Sequence, residues 1–153
     1  MPAIFEHPHT VTPEEIDILG HANNLAYVAW MQSAALAHSA AQGWPTEAYQ
    51  QLGAGWVVRT HQITYRLPAF EGQPIIVYTW VAGMKKATSL RRYQMVRTSD
   101  QKTLAIAATD WAFVTYATGL PTRIPPEIIR SFELVPQESI DIGKEPAIRE
   151  SAE

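Results

Sequence analysis

The segment Glu15-Ile16-Asp17-Ile18-Leu19-Gly20-His21-Ala22-Asn23-Asn24-Leu25-Ala26-Tyr27 joins a turn-prone loop to the only long helical pattern in the sequence. Gly20 permits a tight backbone turn at little steric cost. Asn23 or Asn24 can cap the helix by accepting a hydrogen bond from a free N–H of its first turn. The pattern predicts a helix from about Leu25 to Gln42, with Gly43 just past its end. Asp17 and His21 then lie beside a helix N-terminus, where unpaired N–H groups and partial positive charge collect. Such a place suits polarising a carbonyl or holding an anion. A plain turn followed by a cap accounts for the same residues.

Within the helix, Leu25 to Met31, Ala34 to Ala37, Ala40 and Ala41 leave only a narrow polar strip. A helix apolar nearly all round is a buried helix, and its alanines let a sheet approach closely. Upstream, His9-Thr10-Val11-Thr12 reads as a short strand ended by Pro13. Downstream, Trp44 to Gly55 is a connection with one or two helical turns at Glu47 to Leu52.

From Trp56 the texture changes to β-branched and aromatic residues with period two. Strands are predicted at Trp56–Leu67, Ile75–Ala82, Ser89–Thr98 and about Leu104–Tyr116. Turns fall at Pro68–Pro74, at Gly83-Met84-Lys85-Lys86 and at Ser99-Asp100-Gln101-Lys102. No helix-length pattern separates the strands, so they should pair antiparallel. Pro125-Pro126 starts a short helix near Glu127 to Ser131. After about Glu133 the chain turns polar and weakly periodic, as a mobile tail would. The expected class is α+β: one domain over residues 1–132, in which a twisted antiparallel sheet curls round one central helix, then a polar tail over 133–153.

The composition is that of an ordinary globular protein, 46% apolar and 18% charged over 153 residues. A net charge of −3 gives no reason to propose nucleic-acid binding. There is no cysteine, hence no disulfide, thiolate metal site or cysteine nucleophile. The N-terminus lacks a secretory pattern. The helix, interrupted by Gln32, Ser33, His38 and Ser39, falls short of the ~20 apolar residues of a membrane span. A cytoplasmic location is the expectation, with no metal and no cofactor. Gly-x-Ser-x-Gly, a phosphate-binding glycine loop and His-Glu-x-x-His are all absent.

The loop Asp-x-x-Gly-His-x-Asn-Asn-x-x-Tyr, from Asp17 to Tyr27, resembles that of the hotdog-fold acyl-CoA thioesterases, the group that includes 4-hydroxybenzoyl-CoA thioesterase. His61 to Ala69, Thr79-Trp80-Val81 and Thr109 to Val114 fit the same pattern, so the resemblance spans roughly residues 8 to 132. It implies a hotdog fold, a homodimer or a tetramer of dimers, and active sites at the dimer interface. It also implies that Asp17 is the catalytic carboxylate, either activating water or attacking the thioester. The backbone N–H of Asn24, seven residues on, is then the donor to the thioester oxygen.

His21 matches a histidine of plant acyl-carrier-protein thioesterases, but Leu19 stands where those carry an asparagine. Orienting the loop and handling protons remain open roles for it. Asn23 and Tyr27 are candidates to line the site, and Thr60 and His61 to reach it from a partner subunit. A paired histidine with a structural role accounts for His61 as well. Lys85, Lys86, Arg91 and Arg92 flank the second hairpin and are candidates for the phosphates of coenzyme A; a solvated hairpin face explains them equally. Arg123 and Arg130 are further candidates. The function implied is hydrolysis of an acyl-CoA to free acid and coenzyme A. The alternatives are the same reaction on an acyl carrier protein and a non-catalytic acyl-thioester-binding module.

Overall fold

The computed structural model describes residues 3–142. Strand β1 (Phe5–Thr10) leads through a 3-10 turn (Pro13–Glu15) into helix α1 (Asn24–Ala41) and the short helix α2 (Thr46–Leu52). Four strands follow, β2 (Ala54–Tyr65), β3 (Pro74–Met84), β4 (Thr88–Arg97) and β5 (Lys102–Thr115), then helix α3 (Pro126–Arg130). They form one antiparallel sheet in the order β1-β3-β4-β5-β2. The predicted first strand, His9–Thr12, in fact begins at Phe5: His7 and His9 pair with Val77 and Ile75 of β3. Its period-two signal is weak because Pro8 interrupts it.

The sheet curls round α1. Ala26, Tyr27, Trp30, Met31, Ala34 and Ala35 pack against Ile75, Val77, Tyr93, Met95, Ala105 and Ala107 of the central strands. A second cluster at the C-terminal end of α1 joins Tyr49, Ala54, Val81 and Phe113 to Ile124, Ile128 and Phe132. One sheet can cover only one side of a helix. On the other side Leu25 and Leu36 keep 79% and 60% of their surface in this single chain. The expectation of a helix buried all round is met on one face only.

Residues 133–142 differ from the expected mobile tail. Val135 N–H bonds to Val81 O, the Trp80 indole N–H to Gln137 O, and Gln94 exchanges two hydrogen bonds with the Ile140 backbone. This segment covers the face of the sheet turned away from α1 and seals Trp80 and Val96. Its polar composition hid the role, because most of these bonds use its backbone, which composition does not report. The rest of the predicted tail lies outside the described residues.

Candidate active site

The Asp17 loop is closed by its own backbone. Ile16 and Ala22 form a β-bridge, Asp17 N–H bonds to His21 O at 2.9 Å, and Gly20 N–H bonds to Asp17 O at 3.0 Å. Gly20 takes φ +89°, a conformation that favours glycine. The turn aims the Asp17 carboxylate: Oδ1 accepts the Leu19 N–H at 2.9 Å, and the His21 N–H approaches it at 3.5 Å. Among the described residues Oδ2 has only the His21 ring, at 3.6 Å, and the side chains are 29% (Asp17) and 36% (His21) exposed. The carboxylate is thus fixed through one oxygen and open at the other.

Asn23 is the cap, its Oδ1 accepting the Ala26 N–H at 2.8 Å. Its Nδ2 and backbone N–H both donate to Glu15 O. Asn24 is the first residue of α1, and its N–H meets no acceptor among the described residues. Capping and an open N–H donor therefore coexist, because the cap side chain serves Ala26 and leaves the first N–H free.

Glu15 holds this assembly from behind. Its carboxylate accepts Thr12 N–H (2.9 Å) and His9 Nε2 (2.9 Å) at Oε1, and the Trp30 indole N–H (2.7 Å) at Oε2. Burial pushes the carboxyl up, but Thr12, His9 and Trp30 together outweigh it and hold it below the ordinary range. This residue was missed in the sequence, although Thr12-Pro13-Glu14-Glu15 carries the Thr-x-x-Glu spacing of a capping box.

Other candidates are placed apart. Tyr27 belongs to the core, with its ring 4.6 Å from that of Trp30 and 4.9 Å from that of Tyr65. Thr60 and His61 are neighbours on β2 and so point to opposite faces. His61 Nδ1 meets Thr109 Oγ1 at 2.8 Å on the α1 side, and Thr60 donates to Asp110 on the other. Neither touches Asp17 within the chain.

The basic cluster is split by the same alternation. Lys85 and Lys86 are exposed in the β3–β4 turn. Exposed Arg123 lies beside them, because the Ile124 N–H bonds to Lys86 O at 2.8 Å. Arg92 faces away from α1, with its guanidinium 3.8 Å from Glu138. Arg91 points inward and is only 6% exposed. It therefore leaves the set of surface phosphate-binding candidates. In its place it lines a cavity of about 150 Å³ at the C-terminal end of α1, together with Tyr49, Trp56, Trp111 and Phe132.

Among the described residues no helix is long and apolar enough to cross a membrane. The sequence profile of the thioesterase-like superfamily matches residues 11–132. No curated protein matches the sequence. Similar solved structures include a DHNA-CoA thioesterase from Staphylococcus aureus, 16% identical, with TM-score 0.80 over 98% of this chain and 95% of that one. A 1,4-dihydroxy-2-naphthoyl-CoA thioesterase from Synechocystis is 13% identical, with TM-score 0.78 over 84% and 94%. A Staphylococcus aureus protein solved in complex with CoA is 15% identical, with TM-score 0.78 over 84% and 80%. The profile match covers most of the chain and the architecture is shared, so this protein belongs to the thioesterase-like superfamily and has the hotdog fold.

Proposed function

We propose that this protein is an acyl-CoA thioesterase with Asp17 as its catalytic carboxylate. The observation that carries the reading is the pairing of a half-open carboxylate, Asp17, with a free N–H donor, that of Asn24, at one helix N-terminus. In the reaction a water oxygen attacks the thioester carbon and gives its proton to Asp17. Alternatively Asp17 Oδ2 attacks first, and water then opens the resulting anhydride and restores the carboxylate. The C–S bond breaks, the sulfur leaves as the thiolate of coenzyme A and takes up a proton, and the acid is released. The Asn24 N–H steadies the oxyanion, a contribution usually worth about 3–4 kcal/mol. His21 sits where it can orient the carboxylate or carry the proton.

Coenzyme A is the proposed carrier, supported by the CoA complex of a structural relative and by the basic turn of Lys85, Lys86 and Arg123. We further propose a homodimer, alone or doubled into a tetramer, with the site at its interface. Within one chain the cavity at Ala35, Leu36 and Ser39 lies 11–15 residues along α1 from Asn24, about 16–22 Å at ~1.5 Å per residue. A twofold pairing with antiparallel α1 helices would bring Asp17 of one chain to the cavity of the other. Leu25 and Leu36 on α1, Val57 on the edge strand β2, and fully exposed Ile18 are the apolar surface that such a pairing would cover.

The test is a panel of aliphatic and aromatic acyl-CoAs, with thiol release followed by a thiol reagent and Asp17→Asn beside the parent. The variant keeps the side chain's size but loses its charge and nucleophilic oxygen. Turnover should fall by about 10²–10⁴-fold with binding retained. Near-normal turnover would remove Asp17 from the chemistry. Binding without hydrolysis across the panel would favour the non-catalytic module. Turnover restricted to acyl carrier protein substrates would favour the alternative carrier.

A further inference from the structure

The cavity beneath the C-terminal half of α1 contains an unusual charge. Arg91 enters it from β4, is 6% exposed, and has no carboxylate within ion-pair distance among the described residues. A buried cation is normally paired. Two neutral groups hold it in place. Nη1 donates to Thr79 Oγ1 at 3.1 Å and to His38 Nδ1 at 2.9 Å. Arginine has no acceptor atom, so the His38 lone pair lies on Nδ1 and its proton on Nε2. Burial, with the neighbouring Arg91 charge second, lowers His38 to about 3 and keeps the ring neutral at working pH. The Phe132 ring lies 6.0 Å from the guanidinium carbon.

These contacts occupy Nη1 alone. The Nε–H and the Nη2–H groups meet no acceptor among the described residues. That Nε–Nη2 edge presents two parallel N–H donors, the fork that grips a carboxylate through both oxygens. The walls around it are mostly apolar and aromatic: Tyr49, Trp56, Met84, Trp111 and Phe132. A volume of about 150 Å³ is close to that of engineered cavities that admit one benzene ring.

We propose that this cavity is the acyl-end subsite and that Arg91 selects acyl groups carrying a second carboxylate, about one ring or a short chain away from the thioester. The ligand class is thus the half-thioester of a compact dicarboxylic acid. His38 and Thr79 are positioning residues that turn the free edge of Arg91 toward the ligand. The thioester part of this assignment rests on the thioesterase reading above; carboxylate recognition by Arg91 does not.

The experiment separates the two. Monomethyl terephthalate and methyl 4-methylbenzoate share the ring and a neutral ester in place of the thioester, but only the first carries a free carboxylate. Their binding to the full chain is measured by calorimetry and by quenching of tryptophan fluorescence, since Trp56 and Trp111 line the cavity. The same pair is then offered as 4-carboxybenzoyl-CoA and 4-methylbenzoyl-CoA for hydrolysis. Monomethyl terephthalate should bind at least about 30-fold more tightly, the scale of one desolvated charge pair. R91M should erase that difference, and R91K should restore part of it as a point charge without the fork. Equal binding of the two esters by the unaltered protein overturns the proposal without any variant, as does a preference that survives R91M. Arg91-dependent binding of monomethyl terephthalate, with neither these CoA esters nor any of the acyl-CoA panel hydrolysed, would keep the anion site and refute the thioesterase reading instead.

Discussion

Glu15→Gln tests whether the Asp17 loop is held from behind. In the parent, one carboxylate accepts Thr12 N–H, His9 Nε2 and the Trp30 indole N–H, with the side chain 18% exposed. Glutamine keeps one acceptor oxygen and turns the other into a donor. Either the indole or the Thr12–His9 side then faces an N–H with no acceptor. An unsatisfied buried donor costs about 1–3 kcal/mol, and the remaining bonds lose their charge assistance. A loss of about 2–3 kcal/mol follows, or about 5–10 °C in Tm for a domain of this size. Because Asp17 is only two residues away, kcat should also fall, by about tenfold, with KM little changed.

The pH dependence has a defined sign. The Glu15 carboxyl is held below its ordinary range, so its contribution is present above the unfolded value of about 4.3 and disappears as pH falls through the folded value. The parent should lose stability in that acid window more steeply than Glu15→Gln. Denaturant titrations at pH 7 and pH 3 measure both, and Trp30→Phe completes a double-mutant cycle with a coupling of at least about 1 kcal/mol. A Tm within one or two degrees of the parent, about the scatter of a neutral surface change, would refute the anchoring role. So would zero coupling to Trp30.

Lys86→Ala and Lys85→Ala should raise KM for an acyl-CoA with little change in kcat, and the penalty should vanish on a substrate cut back to the pantetheine arm. Arg92→Ala, on the far face beside Glu138, should do neither. Sedimentation at micromolar concentration should show no stable monomer; a fully active monomer would rule out an interfacial site. His38, lowered to about 3, takes up a proton in the unfolded chain near 6.5 but not in the folded one, so stability should fall with pH across that window. The loss is at most about 5 kcal/mol, at about 1.4 kcal/mol per pH unit, and His7 and His61, also lowered, act in the same direction. Denaturation midpoints that stay flat between pH 6.5 and pH 4 would contradict this.

What the sequence determined by itself is what depends on near neighbours along the chain. The central helix, starting within a residue of its observed Asn24, a cap at Asn23 or Asn24, the Gly20 turn and the second hairpin are set by residues a few positions apart and were legible, the structure choosing Asn23 as the cap. So was the four-strand run from β2 to β5, because a period of two survives even bulged strands. Arg91 and Arg92, grouped in the sequence as candidates for the same phosphates, fall on opposite faces of β4 by that alternation. Which of them turns inward required the sheet, since only the helix lying across β3 and β4 distinguishes its faces. The pairing of Arg91 with His38 across 53 residues, and the bonds from residues 135–140 back to β3 and β4, were likewise decided by tertiary structure. No local pattern carries such contacts, because their energy depends on what the fold brings together and how far it excludes water. Asp17 is the intermediate case. Its turn is local and readable, but the cavity that would receive the acyl group lies at the other end of α1, and only the folded chain reveals that separation.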